Sequence, residues 1–354
     1  MIRSLLLAST AILAAAAPAR AQQADPGRIL VLEKNAATAR MLDASDGNTI
    51  ATWAVGDGPH EVAISPDGRL AVVANYGGQQ PGDSLSVLDL TAVDPRRQIR
   101  TIDLGEAVRP HGLAFAGDSR HLWLTAETVG GLWRVDVKNG EVKTKVDVGG
   151  GGGHMVARAD DSTLYVSHIG AGAVTLVAST GHGDGTMTAP AGWKAGKRIA
   201  TGPGAEGIAM NSVTGMLWVG NRAEDTLSLI DPAKGEVVAQ LDCPGFPIRV
   251  YHSPDGLLTA VSCATSHEVA LYDAATHELL GRIPMGDGAT PIGMAFDGTG
   301  TRLYVACAGA DQVAAVDLRL RKVVATMPTG SVPDGIAWLP TPPPQTAAMV
   351  PAQD

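Results

Sequence analysis

The fold is decided by the segment Gly58-Pro59-His60-Glu61-Val62-Ala63-Ile64-Ser65-Pro66-Asp67-Gly68, because degraded copies of it recur along the whole sequence. The copies follow one another at intervals of 42 to 52 residues. Such a period is typical of the four-stranded blades of β-propellers and is longer than that of most solenoid repeats. Aligning the copies places one residue of each in a single column, the key column, which reads His60, His111, His154, Glu206, Ile248, Ile292 and Asp334.

Each copy is followed by the pattern of a four-stranded blade. An apolar strand comes directly after the key residue and leads into a turn such as Ser65-Pro66-Asp67-Gly68. In this turn proline presets φ and glycine accepts a positive φ. Three more short strands, rich in β-branched residues, complete the unit. The sequence therefore predicts an all-β fold built from repeated blades.

The two ends of the sequence predict how the ring of blades closes. The last copy, Pro333-Asp334-Gly335-Ile336-Ala337-Trp338, is a first strand followed only by a Pro-rich tail. Residues 29–55 begin with a second strand and add a third and a fourth. We therefore predict a seven-bladed β-propeller over residues 22–339, whose closing blade is shared between N- and C-terminal strands and so has no exposed edge at the closure. Residues 340–354 are predicted to be a disordered tail.

The N-terminal segment has the pattern of a secretory signal peptide. Residues 1–21 contain the basic Arg3, an apolar run and a small-residue end at Ala19-Arg20-Ala21. The apolar run is too short to span a bilayer. We therefore expect a periplasmic or secreted protein without membrane insertion. The formal net charge of −9 argues against nucleic acid as a partner, because binding to phosphates needs a basic surface.

Cysteine usage is sparse. Cys243, Cys263 and Cys307 are too few and too scattered for a disulfide framework, and at most one pair can form. Cys263 and Cys307 occupy equivalent positions in consecutive copies, which does not by itself bring their Cα atoms within disulfide range. We expect buried free thiols.

Four-residue segments on the predicted second strands carry a family resemblance. In the repeating unit, each of these quartets lies between a turn that resembles S-P-D-G and a segment that resembles V-x-V-[IL]-D. The quartets are Val72-Val73-Ala74-Asn75, Tyr165-Val166-Ser167-His168, Trp218-Val219-Gly220-Asn221 and Tyr304-Val305-Ala306-Cys307. This pattern resembles the repeats of YVTN-family β-propellers over essentially the whole mature chain. The resemblance implies an exported, lactonase-like propeller, in a family that includes binding proteins as well as enzymes.

The key column is the predicted functional site. The innermost strand of every blade lines the channel of a propeller, so the column should form a ring at one channel mouth. Five consecutive blades contribute polar residues to this ring, and two isoleucines face them. Imidazoles with one carboxylate suit a divalent Zn, Mn, Fe or Cu ion, and the predicted ligands are His60, His111, His154 and Glu206. A metal-free polar pocket and purely structural histidines remain as alternatives.

Other residues near the ring receive predicted roles. Asp334 and His168 are the candidate catalytic residues for proton transfer, with orientation of His60 as an alternative role for Asp334. His168 belongs to a predicted wider ring at the ends of the second strands, which also includes Lys34. Arginines beside the key column are expected to hold a carboxylate. The predicted substrate-binding residues are Arg249, Arg109, Asn75, Asn221, Ile248 and Ile292.

These residues together predict an exported propeller that acts on a small organic molecule. The resemblance to propeller enzymes of similar layout implies a metal-dependent lactonase-type hydrolase or a lyase, with a lactone or carboxylate as substrate. The alternative is a non-catalytic module that binds a small ligand, or a protein partner, on one propeller face.

Overall fold

Seven antiparallel sheets of four strands each form the computed structural model, which describes residues 26–91, 98–150, 153–181 and 192–341. In six of these sheets the strands follow one another in chain order across the sheet. In the seventh, the C-terminal strand pairs with the three N-terminal strands. The predicted seven-bladed β-propeller with a shared closing blade is therefore confirmed.

The blades are named in chain order. The closing blade consists of β28 (Pro333–Pro340), β1 (Gly27–Glu33), β2 (Thr38–Asp43) and β3 (Thr49–Ala54). Blade 1 consists of β4 (Pro59–Ile64), β5 (Leu70–Asn75), β6 (Ser84–Asp89) and β7 (Gln98–Asp103). Blade 2 consists of β8 (Pro110–Phe115), β9 (His121–Ala126), β10 (Gly131–Asp136) and β11 (Glu141–Asp147). Blade 3 consists of β12 (Val156–Arg158), β13 (Thr163–His168), β14 (Ala173–Ser179) and β15 (Trp193–Ala200).

Blades 4, 5 and 6 follow the same pattern. Blade 4 consists of β16 (Ala205–Met210), β17 (Leu217–Asn221), β18 (Thr226–Asp231) and β19 (Glu236–Asp242). Blade 5 consists of β20 (Pro247–His252), β21 (Leu258–Cys263), β22 (Glu268–Asp273) and β23 (Leu279–Pro284). Blade 6 consists of β24 (Pro291–Phe296), β25 (Arg302–Cys307), β26 (Gln312–Asp317) and β27 (Lys322–Pro328). Two one-turn 3₁₀ helices, Lys34–Ala36 and Glu127–Val129, follow β1 and β9.

Strand β28 closes the ring by antiparallel pairing with β1. Ile29 lies opposite Trp338, and Val31 lies opposite Ile336. The paired strands place Ile29, Val31 and Ile336 in one hydrophobic cluster with Tyr304 of blade 6. The closure is thus held both by backbone hydrogen bonds within the closing blade and by apolar packing against its neighbour.

Aromatic side chains at the start of the YVTN-like quartets hold neighbouring blades together. Trp218 is fully buried and packs against Val250 and Tyr272 of blade 5. Tyr165 makes the same kind of contact with Leu217 and other apolar residues of blade 4. Large aromatic rings remove about 150–250 Å² each from water, so they are well suited to fill the gap between two twisted sheets. The repeated aromatic residue therefore serves the fold.

The inner strands of neighbouring blades approach very closely one residue after the key column. Glycine occupies four of the seven positions there: Gly112, Gly207, Gly293 and Gly335. A Cβ on Gly207 would lie 2.7 Å from the carbonyl oxygen of Ile248, and one on Gly335 would lie 2.5 Å from that of His60. The absence of a side chain lets the inner strands come together, which brings the preceding key residues into contact.

Several predicted segments fall on or beyond the limits of the described residues. The predicted signal peptide, residues 1–21, lies outside them, as does the predicted tail after residue 341. In the part of the chain that the structure describes, no helix has the length and apolar character needed to cross a membrane.

Candidate metal-binding site

Three histidines from consecutive blades lie in contact at one channel mouth. The ring centroids of His60 and His111 are 4.5 Å apart in a stacked arrangement. The rings of His111 and His154 meet edge to face, also with centroids 4.5 Å apart. The inner-strand repeat brings these residues together although more than 40 residues separate each from the next in sequence.

His111 stands at the centre of this group. Its side chain is only 1 % exposed, and neither ring nitrogen makes a hydrogen bond to any of the described residues. Burial lowers the pKa of His111 well below its ordinary value, and the neighbouring His60 and His154 lower it further. The ring is therefore a neutral imidazole whose lone pair is not occupied by a hydrogen bond. A buried polar group of this kind normally has a partner, so its exception needs an explanation.

His154 has a similar electrostatic setting. Burial lowers the pKa of His154 to about 4, against the opposing effect of the Glu206 carboxylate. Its Nδ1 atom is buried and makes no hydrogen bond to the described part of the chain. At neutral pH both His111 and His154 are therefore unprotonated, which is the state in which imidazole binds a metal ion.

Asp334 and Lys34 fix the orientation of His60. A carboxylate oxygen of Asp334 forms a short hydrogen bond with Nδ1 of His60. The Lys34 ammonium lies 3.3 Å from each of these two atoms. Burial alone would raise the pKa of Asp334, but His60, Lys34 and Arg249 together lower it. Because Asp334 engages Nδ1, the other nitrogen of His60 is left for a ligand, which supports the orienting role for Asp334.

Glu206 is held by two arginines. Nη1 of Arg249 donates to Oε1 of Glu206 at 2.7 Å, and Arg222 forms a close ion pair with Oε2. Burial would raise the pKa of Glu206, but the two guanidinium groups lower it. Glu206 is thus near the histidines as predicted, with both of its oxygens facing positive charge.

Arg249 occupies a different environment from the one the sequence suggested. It is 1 % exposed, and besides Glu206 it binds Oε1 of Glu61 through Nε at 2.9 Å and Nη2 at 2.6 Å. Its guanidinium is satisfied by two buried carboxylates, so the structure gives no support to the predicted role of Arg249 in holding a substrate carboxylate. The sequence did carry a signal, because Glu61 and Arg249 are the charged exceptions in the otherwise glycine-rich position after the key column.

The wider ring at the mouth lies one residue later than predicted. The last residue of each second strand points into its own blade: Asn75 bonds the hydroxyls of Ser84 and Ser86, and Asn221 bonds those of Thr226 and Ser228. His168 is likewise fully buried and bonds Thr175 at 2.8 Å. Asn75, Asn221 and His168 therefore support the blades, which contradicts their predicted substrate-binding and catalytic roles.

The residues that do surround the histidines follow directly after the second strands. They include Lys34, Tyr76, Glu127 and Arg222, of which the sequence indicated only Lys34. Tyr76 packs edge-on against His60 and His111, with centroid distances of 4.9 and 5.1 Å. Its hydroxyl donates to Oε2 of Glu127 at 3.0 Å. Side chains alternate between the two faces of a strand, so a shift of one residue moves the ring from the blade interior to the mouth.

Metal-ligating atoms cluster in two overlapping groups. Within each group they lie within 4.8 Å of one another, and the groups are His60, Glu61 and His111, and His111, His154 and Glu206. His111 belongs to both. The isoleucines of the key column, Ile248 and Ile292, are half-buried on blades 5 and 6. The ring is thus polar over the closing blade and blades 1 to 4, and apolar over the other two.

Comparison with known proteins agrees with this architecture. Residues 167–338, just under half of the chain, match the family model described as YNCE-like beta-propeller. The fold and the channel-mouth ring define a seven-bladed β-propeller with one polar and one apolar side. The match is consistent with the resemblance of the quartets to YVTN-type propeller repeats. No curated protein matches the chain.

Three solved structures illustrate the shared fold. A functionally unknown protein from Desulfotomaculum acetoxidans is 13 % identical with a TM-score of 0.74, covering 88 % of this chain and 98 % of that one. Hydrazine synthase from Kuenenia stuttgartiensis is 20 % identical with a TM-score of 0.64, covering 79 % and 89 %. Apo AztD from Citrobacter koseri is 12 % identical with a TM-score of 0.64, covering 90 % and 98 %. At these identities the likeness concerns the fold.

Proposed function

We propose that this protein is exported, binds a divalent transition-metal ion through His60, His111 and His154, and uses it for hydrolase or lyase chemistry on a small lactone or carboxylate. The observation that carries the proposal is the buried His111, which makes no hydrogen bond to the described residues and lies between two other imidazoles. Imidazoles that converge from neighbouring strands are typical ligands of transition-metal ions in proteins.

The surroundings of His60 also suit a metal ligand. Metal-binding histidines usually engage a carboxylate with their second nitrogen, which fixes the tautomer and the ring orientation. Asp334 contacts His60 in this way. Zn²⁺, Mn²⁺, Fe²⁺ and Cu²⁺ all accept imidazole ligands, so the residues fit a divalent ion without selecting one of the four.

The remaining residues of the mouth suggest how a substrate would bind. A bound ion would polarise a carbonyl group or activate a water molecule. Ile248 and Ile292 would supply an apolar wall opposite the histidines. Arg109 remains available for a carboxylate, because it is half-buried and its guanidinium carbon stacks 4.7 Å from the ring centroid of Tyr76.

One observation favours a second function, that of a non-catalytic binding module. Asp334 is paired with His60 and Lys34, and Glu206 with Arg249 and Arg222. Carboxylates that are already engaged with cations are poor general bases. A site built in this way would hold a metal ion or a small ligand without turning it over.

Elemental analysis of the Zn²⁺-loaded protein after gel filtration tests metal binding. We expect one equivalent of zinc in the wild type and in a His121→Ala control, which removes a histidine paired with Asp118 outside the site. His111→Ala should retain almost none. Equal zinc contents in all three proteins, or no zinc in the wild type, would overturn the proposal.

Turnover separates the two functions. A panel of lactones and carboxylate esters would be offered to the metal-loaded and the chelator-treated protein. Hydrolysis that needs the metal and disappears in His111→Ala supports the enzyme. Stoichiometric metal without turnover of any member of the panel supports the binding module instead.

A further inference from the structure

We propose that Glu127, rather than Glu206, is the carboxylate ligand of the metal ion, and that Tyr76 positions it. The inference rests on the proposed metal site and assigns a residue that no sequence pattern marked. Glu127 begins the 3₁₀ helix after β9 and is the only acid among the residues that directly follow the second strands. This placement brings a carboxylate from blade 2 to the histidines of blades 2 and 3.

The spacing between Glu127 and the two histidines fits shared coordination. Oε2 of Glu127 lies 3.3 Å from Nδ1 of His111 and 3.6 Å from Nε2 of His154. Two ligands that are each about 2.0–2.2 Å from one tetrahedral ion lie about 3.3–3.6 Å apart. Both separations therefore fall in the range expected for two ligands of one ion, with Oε2 as the shared atom.

The direction of the ring nitrogens agrees with this spacing. Although Nδ1 of His111 lies 3.3 Å from Oε2, it makes no hydrogen bond with it. A hydrogen bond needs the nitrogen to point at the oxygen. Two ligands of one metal ion instead point at a common third position, so they come into contact without a hydrogen bond. The contact of His111 with Glu127 without a hydrogen bond fits the second case.

Glu206 is a poorer choice for the carboxylate ligand. Its Oε1 accepts a hydrogen bond from Arg249, and its Oε2, which makes no hydrogen bond to the described residues, lies in a close ion pair with Arg222. Both guanidinium groups carry a permanent positive charge. A metal ion at Glu206 would have to displace one of these pairs inside a buried region, or accept a cation beside it. Glu127 has no ion pair with a lysine or arginine among the described residues, and its side chain is 21 % exposed.

Tyr76 is the positioning residue in this assignment. Its hydroxyl donates to the same oxygen, Oε2, at 3.0 Å. A carboxylate oxygen has two lone pairs, so one can accept from Tyr76 while the other faces the ion. Arg109 and Lys34 lie over the Tyr76 ring and favour its placement over the histidines. The hydroxyl thus fixes the carboxylate orientation without touching the ion.

Titration with Co²⁺ tests the assignment, because its visible absorption depends on the number and type of ligands. We expect Glu127→Gln to lower Co²⁺ affinity at least about 100-fold and to change the spectrum, whereas Tyr76→Phe should lower affinity about 10-fold and leave the shape of the spectrum unchanged. Glu141→Gln on the outer strand β11, where the glutamate pairs only with Lys143 among the described residues, is the matched control and should bind Co²⁺ like the wild type. Glu206→Gln is the rival-ligand variant and should bind Co²⁺ within about threefold of the wild type once circular dichroism shows that it is folded.

The outcomes separate this inference from the proposed function. A wild type that binds no Co²⁺ would overturn both. A wild type that binds Co²⁺, a His111→Ala variant that does not, and a Glu127→Gln variant with wild-type affinity and spectrum would overturn only the assignment of Glu127. Loss of binding in Glu206→Gln with retention in Glu127→Gln would assign the ligand to Glu206 instead.

Discussion

Arg249 of blade 5 reaches across the channel and donates two hydrogen bonds to one carboxylate oxygen of Glu61 in blade 1. Two blades separate these residues on one side of the ring and three on the other. With Glu206 as a second partner, the arginine joins three blades at the level of the histidines. The site is thus supported from within the channel as well as from the inner strands.

Removing this arginine should destabilise the whole propeller. Arg249→Met leaves Glu61 and Glu206 buried without their shared cation, and breaking a buried ion pair in this way costs about 3–5 kcal/mol. We expect a correspondingly lower free energy of unfolding by urea denaturation. Adding Glu61→Gln and Glu206→Gln to the variant should restore much of the loss, because no buried carboxylate is then left without a cation. If Arg249→Met alone had the same free energy of unfolding as the wild type, the buried ion pairs of Arg249 would contribute nothing to stability.

Asp334→Asn should weaken metal binding while leaving all three imidazoles in place. The amide keeps the shape of the side chain but no longer fixes the His60 tautomer through a charged acceptor. Loss of such an outer partner costs about 10- to 100-fold in metal affinity. Competition with a chromophoric zinc chelator measures the dissociation constant, and Asp46→Asn in the turn between β2 and β3, where the carboxylate contacts only Asn48 among the described residues, provides the control. Equal affinities of the two variants would contradict the orienting role of Asp334.

His252 should make stability depend on pH. Its ring bonds the Ala209 carbonyl oxygen and the Thr259 hydroxyl, and burial lowers the pKa of His252 to about 4. In the unfolded chain the same histidine has its ordinary pKa near 6.5. As the pH falls, the unfolded chain therefore takes up a proton at this histidine at a higher pH than the folded chain does. Stability from the neutral ring is therefore complete above about pH 6.5 and falls as the pH drops towards 4, by up to about 3 kcal/mol.

The variant His252→Gln isolates this effect. Glutamine can still donate to Ala209 but does not titrate, so its urea midpoint should change less than that of the wild type between pH 7.5 and 4.5. The other buried histidines are present in both proteins and cancel in the comparison. Parallel midpoint curves would show that His252 does not contribute.

Cys243 and Cys263 should form a disulfide when the protein folds under oxidising conditions. Both thiols are buried and free, as the sequence predicted, with their sulfurs 3.6 Å apart. The hydrogen bond from Cys263 lowers the pKa of Cys243 to about 7, which favours the attacking thiolate. In refolding with oxidised glutathione, this thiolate would attack the glutathione disulfide and release one reduced glutathione. Cys263 would then attack the resulting mixed disulfide and release the second.

Mass spectrometry of the denatured product checks this expectation. The chain should be lighter by about 2 Da, one reactive thiol should remain at Cys307, and the closed loop should stabilise the fold by about 3 kcal/mol. Cys307→Ser should behave like the wild type, whereas Cys263→Ser should not form the bond. Three titratable thiols after oxidative refolding would contradict the prediction.

The repeat made the fold predictable, because seven imperfect copies constrain one another even where a single copy is degraded. The key column was predictable for the same reason: His60, His111 and His154 come together wherever equivalent inner strands surround a channel. The wider ring was not, because its position depends on which face of a strand the last residue occupies. One residue separates the buried Asn75 from Tyr76 at the mouth, and no period in the sequence distinguishes them.

Long charged side chains were the second obstacle. A repeat fixes where a Cα atom lies, but Arg249 and Glu61 meet through the length of their side chains. Their pairing depends on which partners the channel offers, and this is a property of the assembled ring. The one sequence sign, two charged residues in a position otherwise favoured by glycine, becomes meaningful only after the close approach of the inner strands is known.

The sharing of the closing blade also sets an order in time. Asp334 lies on β28, which follows all the other described strands in the chain, while the histidine that it orients lies on β4, among the first of them. A nascent chain without β28 already contains His60, His111 and His154 but lacks the carboxylate that fixes the first of them. The pairing of β28 with β1 therefore both closes the ring of blades and brings Asp334 to His60. A chain in which this pairing has not formed lacks the complete candidate site.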